Sequence, residues 1–180
     1  EKADEALSQL ADQIGGLDLY FHAAGIGWKN PTLEPEKEMK TMQTNGLGFV
    51  RMVSEAYRYL AKHGGGHIVC ITSVAGTKGI GAIPAYSATK AMQNTYLQAL
   101  EQLAANNHLN IRFTDIRPGF VDTPLLPDSS HFPMLMKTED VANSIMKAIE
   151  RKRHVCIIDG RWCIFTAMWR RIPNWIWRRM

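Results

Sequence analysis

Tyr86 and Lys90 stand four residues apart. On a helix that spacing puts both side chains on one face, with Cβ atoms about 5–6 Å apart. An ammonium beside a phenol favours the phenolate and lowers its pKa, which suits a tyrosine that must give or take a proton near neutral pH. Ser73 lies 13 residues before Tyr86, and its hydroxyl can hydrogen-bond the same reacting oxygen. A Tyr followed by a Lys four residues later is common on amphipathic helices whose lysine is simply solvated, so the pair is a weak signal without Ser73. With 10 Lys, 7 Ser and 5 Tyr among 180 residues, a Ser-x12-Tyr-x3-Lys arises by chance in roughly 1% of such chains.

These residues must be held by rigid elements. Apolar positions three and four apart predict a helix over about 3–14 (Ala6, Leu7, Leu10, Ala11, Ile14), stopped by Gly15-Gly16. A short strand over 17–21 runs into the small-residue turn at 23–27. Pro35 opens a long helix reaching about His63, with Gly64-Gly65-Gly66 at its end. The continuous apolar run 67–72 reads as a strand covered on both faces. A Gly-rich loop, 73–84, precedes a helix over 85–105. A strand follows over 110–116, broken at Arg117-Pro118-Gly119, then an irregular segment with Pro124, Pro127 and Pro133. A helix over 138–151 and a strand over 154–158 come last. Alternating helices and strands predict an α/β, doubly wound parallel sheet with helices on both faces. In such sheets ligands bind beyond the carboxyl ends of the strands. Here these are His22 to Gly27, Ser73 to Gly81, and Pro118 to Thr123.

Ser73 with Tyr86-Ser-Ala-Thr-Lys90 resembles the short-chain dehydrogenase/reductase family. Asn45 in the long helix, His22-Ala23-Ala24-Gly25 after the first strand, and Pro118-Gly119-Phe120-Val121-Asp122-Thr123 match further family segments at the right places. The likeness runs from Glu1 to about Glu150. It implies a Rossmann-like fold and an NAD(P)-dependent oxidoreductase interconverting a secondary alcohol and a ketone or aldehyde. By the same resemblance, Tyr86 is the general acid/base, Lys90 lowers its pKa and holds the nicotinamide ribose, and Ser73 polarises the substrate oxygen. Asn45 holds, through its backbone, a water leading from Lys90 to solvent. Pro118, Gly119, Val121 and Thr123 hold the nicotinamide carboxamide, and Ala23, Ala24 and Gly25 pack on the adenosine side. The family also implies a homodimer or homotetramer through the helices at 35–63 and 85–105.

Two departures stand out. His22 and Ala23 replace two Asn of the family turn, one of which ties neighbouring strands together. The family's glycine-rich pyrophosphate turn does not occur in this sequence, which leads us to expect an N-terminally truncated Rossmann domain over 1–160, beginning at its third helix. The other reading of the same chain is a non-catalytic fragment that dimerises or associates with a membrane surface.

Net charge is +4, but it is uneven. Residues 151–180 hold eight Lys/Arg and one acid, and residues 1–150 hold 13 basic and 16 acidic side chains. The basic balance therefore belongs to the end of the chain and does not point to nucleic acid. There, in 161–180, Trp162, Trp169, Trp175 and Trp177 interleave with Arg161, Arg170, Arg171, Arg178 and Arg179. Such a basic aromatic segment suits either peripheral membrane contact or packing on a pocket or partner, with Pro173 interrupting its helix. Cys70, Cys156 and Cys163 have no metal-ligand or disulfide spacing, and Cys70 and Cys156 read as buried thiols of a cytoplasmic protein. His63, His67, His108 and His131 have no ligand spacing either, so no metal is expected. Lys78, in the loop before Tyr86, is a secondary candidate for approaching substrate, and the apolar segment Phe132 to Met136 suggests a lid over a hydrophobic one. For Asn94, one turn past Lys90, a packing role is the preferred reading.

Overall fold

The computed structural model describes residues 2–126 and 132–180; Pro127 and His131 lie outside the described residues. Four parallel strands, β1 (Leu19–His22), β2 (Gly66–Ile71), β3 (Ile111–Pro118) and β4 (Val155–Ile158), form one sheet in the order β1-β2-β3-β4. The register sets Phe21 beside Val69, Cys70 beside Asp115, and Pro118 beside Ile158. Strand β3 thus runs through Arg117 and Pro118, beyond its expected end. Pro118 lacks only a donor, and as the last residue of the strand it leaves no ladder bond unmade.

The central strands are buried on both sides, as their unbroken apolar sequence requires. Ile68 and Cys70 of β2, with Ile111 and Phe113 of β3, face a core built by helices α3 (Phe49–Lys62) and α4 (Pro84–Asn106). Val69 and Ile116 point the other way, into a second core with α5 (Thr138–Glu150) and Trp162 of α6 (Gly160–Trp169). Helices therefore cover both faces, and the fold is Rossmann-like and doubly wound.

Helix α1 (Lys2–Gln13) lies on α3, where Tyr59 donates to Asp12 at 3.0 Å and Ser8 hydrogen-bonds Glu55. Ala11 is buried, but Leu10 and Ile14 of the expected apolar stripe are exposed, because α1 is covered from one side only. Strand β1 is the sheet edge, with Leu19 and Phe21 about two-fifths exposed.

The expected long helix is three segments. Helix α2 (Pro35–Thr41) and α3 are joined by a π-helical stretch, Met42–Gly48. After α3 the chain reverses through Gly64-Gly65-Gly66, all at positive φ. A Cβ on Gly65 would stand 2.1 Å from the carbonyl oxygen of Asn110, so only glycine lets β2 start beside the β3 strand entry.

Phe49 is fully buried against His22 and Tyr96. Phe49→Ala should lower stability by about 3–5 kcal/mol. The expected outcome is a lower urea midpoint at an unchanged m-value, measured by far-UV circular dichroism.

Candidate active site

The ends of β1, β2 and β3 converge on one region, and the chemistry-bearing side chains meet there. Ser73 ends the β2 extension at φ −174°, and its Oγ accepts from the backbone N–H of Ala75 at 3.0 Å, capping the 3₁₀ turn Val74–Thr77. Pro84 at the first turn of α4 sets the start of that helix. Tyr86 and Lys90 follow on one face, with the Lys90 Nζ 5.6 Å from the centre of the Tyr86 ring.

Lys90 is 4% exposed. Its Nζ donates to the Ile71 carbonyl at 3.1 Å. Burial pushes its pKa down to about 8, while Cys70 and Asp115 act to raise it. Burial raises the Tyr86 phenol above its usual value, and a hydrogen bond with the Ser73 side chain acts in the opposite direction. Desolvation of the phenolate thus outweighs the Ser73 hydrogen bond, and the phenol lies above its usual value where the pairing with Lys90 led us to expect it below.

Asn45 sits in the π-helical stretch and is fully buried. Its amide reads both backbone groups of Ile26: Oδ1 accepts from the N–H at 2.9 Å and Nδ2 donates to the carbonyl at 2.7 Å. This clamps the turn that follows β1. A π-bulge rotates one residue out of helical register, a common device at functional sites, and here it aims Asn45 at that turn. The Asn45 backbone carbonyl accepts from Gln93 Nε2 at 2.8 Å, which occupies one of its two lone pairs. Gln93, fully buried on α4, has a positioning role that sequence reasoning missed. Its spacing of three from Lys90 puts it on the same helix face, but a glutamine there has many equivalent uses.

The clamped turn is close to the reacting groups. A Cβ on Gly25 would lie 3.5 Å from Lys90 Nζ and 3.6 Å from Asn45 Oδ1, and one on Gly27 would lie 2.4 Å from the Tyr86 ring. Gly25 thus borders Lys90 and Asn45. Ala23 and Ala24 are exposed. His22 does not tie two strands: its Nδ1 bonds the Tyr20 hydroxyl of the same strand at 2.8 Å. Burial, then Lys90, lowers its pKa to about 4, so the ring is neutral. The strand tie is made elsewhere, where the Thr72 hydroxyl donates to buried Asp115 at 2.5 Å, which also pairs with Arg117 at 2.6 Å.

On the third strand end, Pro118 is buried in β3, and Gly119 donates to the Ile158 carbonyl at 3.1 Å. Val121 bridges Met136, and the Thr123 hydroxyl donates to the Val121 carbonyl at 3.4 Å. A Cβ on Gly119 would fall 2.1 Å from the Trp162 indole. The same indole meets Phe120 edge-on at 5.4 Å, and Phe120 lies 4.6 Å from Phe132. An aromatic wall therefore stands behind the Pro118–Thr123 segment, and the Phe132 to Met136 stretch packs onto it and onto the core. Lys78 is engaged by the end of the chain: its Nζ donates to the Ile172 carbonyl at 2.8 Å and to Asn174 Oδ1 at 3.2 Å. Asn94 itself packs on Gly76, where a Cβ would lie 2.5 Å from its Nδ2. Cys70 and Cys156 are buried and Cys163 is exposed, all three as free thiols.

Ser73, Tyr86 and Lys90 thus lie together at the carboxyl edge of a parallel α/β sheet. Comparison with known proteins sharpens the class. The family model described as short chain dehydrogenase matches residues 1–133. An uncharacterized oxidoreductase of Myxococcus xanthus is 31% identical over 180 residues, covering 96% of this chain and 70% of that protein. An oxidoreductase of Mycobacterium tuberculosis is 30% identical, with 98% and 68% covered. A short chain dehydrogenase from Burkholderia cenocepacia, solved with NADP, superposes at a TM-score of 0.81 with 18% identity, covering 98% of this chain and 73% of that one. A 3-ketoacyl-ACP reductase from Sinorhizobium meliloti superposes at 0.70 with 27% identity, over 90% and 74%. The chain belongs to the short-chain dehydrogenase family and is an oxidoreductase of that type.

Two predictions follow from this geometry. Gly27→Ala must displace the Tyr86 ring, and a displacement near 1 Å costs roughly a hundredfold in rate; steady-state kinetics of the intact protein should show that loss mainly in kcat. Lys90 has a folded pKa below its unfolded value of 10.5. Between about pH 8 and 10.5 the unfolded chain carries a proton there that the folded one lacks, so stability rises with pH. The stability of the cofactor-free protein relative to its Lys90→Met variant should climb across that window, by on the order of 3 kcal/mol, and stay flat below about pH 7, as read from urea midpoints.

Proposed function

We propose that this chain carries the catalytic residues of an NAD(P)-dependent oxidoreductase that interconverts a hydrophobic secondary alcohol and its ketone. The single observation that carries the reading is the convergence of Ser73, Tyr86 and a buried Lys90 at the carboxyl end of β2.

The residues present fit the nicotinamide-ribose half of the cofactor. A lysine ammonium has three N–H donors, and the Ile71 carbonyl takes one of them. The others are available beside Gly25 for a ribose diol. A bound nicotinamide would supply or accept the hydride. In the reducing direction, the Tyr86 hydroxyl gives its proton to the carbonyl oxygen. The Ser73 hydroxyl donates to that same oxygen and orients it. Lys90, held charged by an anionic or polyol neighbour, opposes the burial that raises Tyr86 and makes its proton transferable. Asn45 keeps the Gly25–Gly27 turn in place, and Gln93 keeps Asn45 in place. Pro118, Gly119, Val121 and Thr123 border the carboxamide side.

NADP and NADPH are named for the Burkholderia protein and for a dehydrogenase from Sphingobium yanoikuyae, which makes NADP(H) the first cofactor to test. The aromatic group Phe120, Phe132 and Trp162 supports an apolar substrate. Met39, Met42 and Leu47, all exposed beside the α2–α3 junction, support assembly into a homodimer or homotetramer. Free thiols support a reducing cytoplasmic setting.

Tyr86→Phe keeps the ring and removes the proton. Turnover of a ketone panel with NADPH should fall by about 10²–10⁴-fold with an unchanged melting temperature and unchanged NADPH fluorescence titration. Retained turnover in this variant overturns the reading.

A further inference from the structure

The last helices have two faces with different fates. Trp162, Thr166 and Trp169 of α6 are buried, and the following segment is latched to the loop before Tyr86. Trp177 of α7 (Asn174–Trp177) donates its indole N–H to the Gly79 carbonyl at 2.7 Å, and Lys78 Nζ lies 5.6 Å over the Trp177 ring. This segment is therefore docked on the carboxyl edge of the sheet, where the site opens. Its outer face is left with Ile164 and Met168 each 68% exposed and Trp175 60% exposed. Residues 160–180 carry five Arg and no Asp or Glu. Arg161 pairs with Asp159, and Arg170, Arg178 and Arg179 make no ion pair among the described residues.

We propose that this outer face of α6 and α7 docks on an anionic lipid bilayer, placing the site opening near the membrane surface. Apolar side chains with a tryptophan among them, surrounded by arginines, match the boundary between acyl chains and anionic headgroups. Charge complementarity decides the occupant. A second copy of the same face would set Arg170, Arg178 and Arg179 against the same three arginines, none of which has an ion pair among the described residues to offset it. No helix among the described residues is long and apolar enough to cross a membrane, so the contact lies on the surface. It is independent of hydride transfer, and its test reads binding alone.

The intact protein is sedimented with vesicles of phosphatidylcholine and with vesicles of equal parts phosphatidylcholine and phosphatidylglycerol. Binding is expected only to the second, and 0.5 M NaCl should reduce it. Neutralising Arg170, Arg178 and Arg179 together to Gln should weaken partitioning by about a hundredfold, at roughly fivefold per arginine. Ile164→Ser with Trp175→Ser should weaken it independently, while both variants keep the wild-type melting temperature and NADPH binding. Absence of binding, equal binding to neutral vesicles, or binding unaffected by the two serine substitutions overturns the proposal. So does concentration-dependent self-association that the arginine variant abolishes, which would make the face an interface between copies.

Discussion

Everything at this site depends on keeping a lysine ammonium out of water. Lys90 is almost fully buried, and its pKa falls because desolvation penalises the charge. The fold answers with partial solvation from backbone. The Ile71 carbonyl at the end of β2 accepts one N–H, and the Asp115 carboxylate two strands in supplies a favourable field. Two elements must cooperate for this. Strand β2 must end where it does, and α4 must begin at Pro84, so that the first turns of α4 cross that strand end. A shift of one residue in either would turn Tyr86 and Lys90 together away from the end of β2, because successive helix positions point about 100° apart.

The same ammonium constrains the neighbouring turn. Small residues follow β1: a Cβ at Gly27 would run into the Tyr86 ring, and one at Gly25 would already touch Lys90. Such a turn is not rigid by itself. Asn45 makes it so by satisfying both backbone groups of Ile26, and it can reach them only because the helix loosens into a π-helical stretch around it. Gln93 then holds the Asn45 backbone from α4, closing a loop of contacts between the turn, the bulge and the catalytic helix. On the opposite side, Trp162 packs over Gly119 and links the end of the chain to the wall of the site. The final helices are thus part of the domain's architecture on one face and open to a surface on the other.

Much of this was legible beforehand. The alternation of helices and strands, the two-sided burial of β2 and the three strand ends that converge on the site all follow from periodicity and punctuation by Gly and Pro. The roles of Gln93 and Trp162 were not legible. A glutamine on an amphipathic helix and a tryptophan in a basic segment have many equivalent uses, and nothing local distinguishes them. The π-helical stretch was read as continuous helix because its apolar spacing, Met39 to Val50, still suits a helix. The exposure of Leu10 and Ile14 shows the limit of the same argument: an apolar stripe says that a face can be buried, not that something covers it.

The amino-acid sequence alone determined the element order, the class of fold and the choice of Ser73, Tyr86 and Lys90 as the candidate triad, because these rest on spacing along the chain and on the chemistry of residue types. Tertiary structure decided the electrostatics. The depressed Lys90, the raised Tyr86 and the neutral His22 come from burial and from neighbours distant in sequence, such as Cys70, Asp115 and Ser73. It also decided which side of the Trp-rich helices faces inward. Solvation and long-range contact are properties of the folded ensemble of side chains, and no local pattern encodes them.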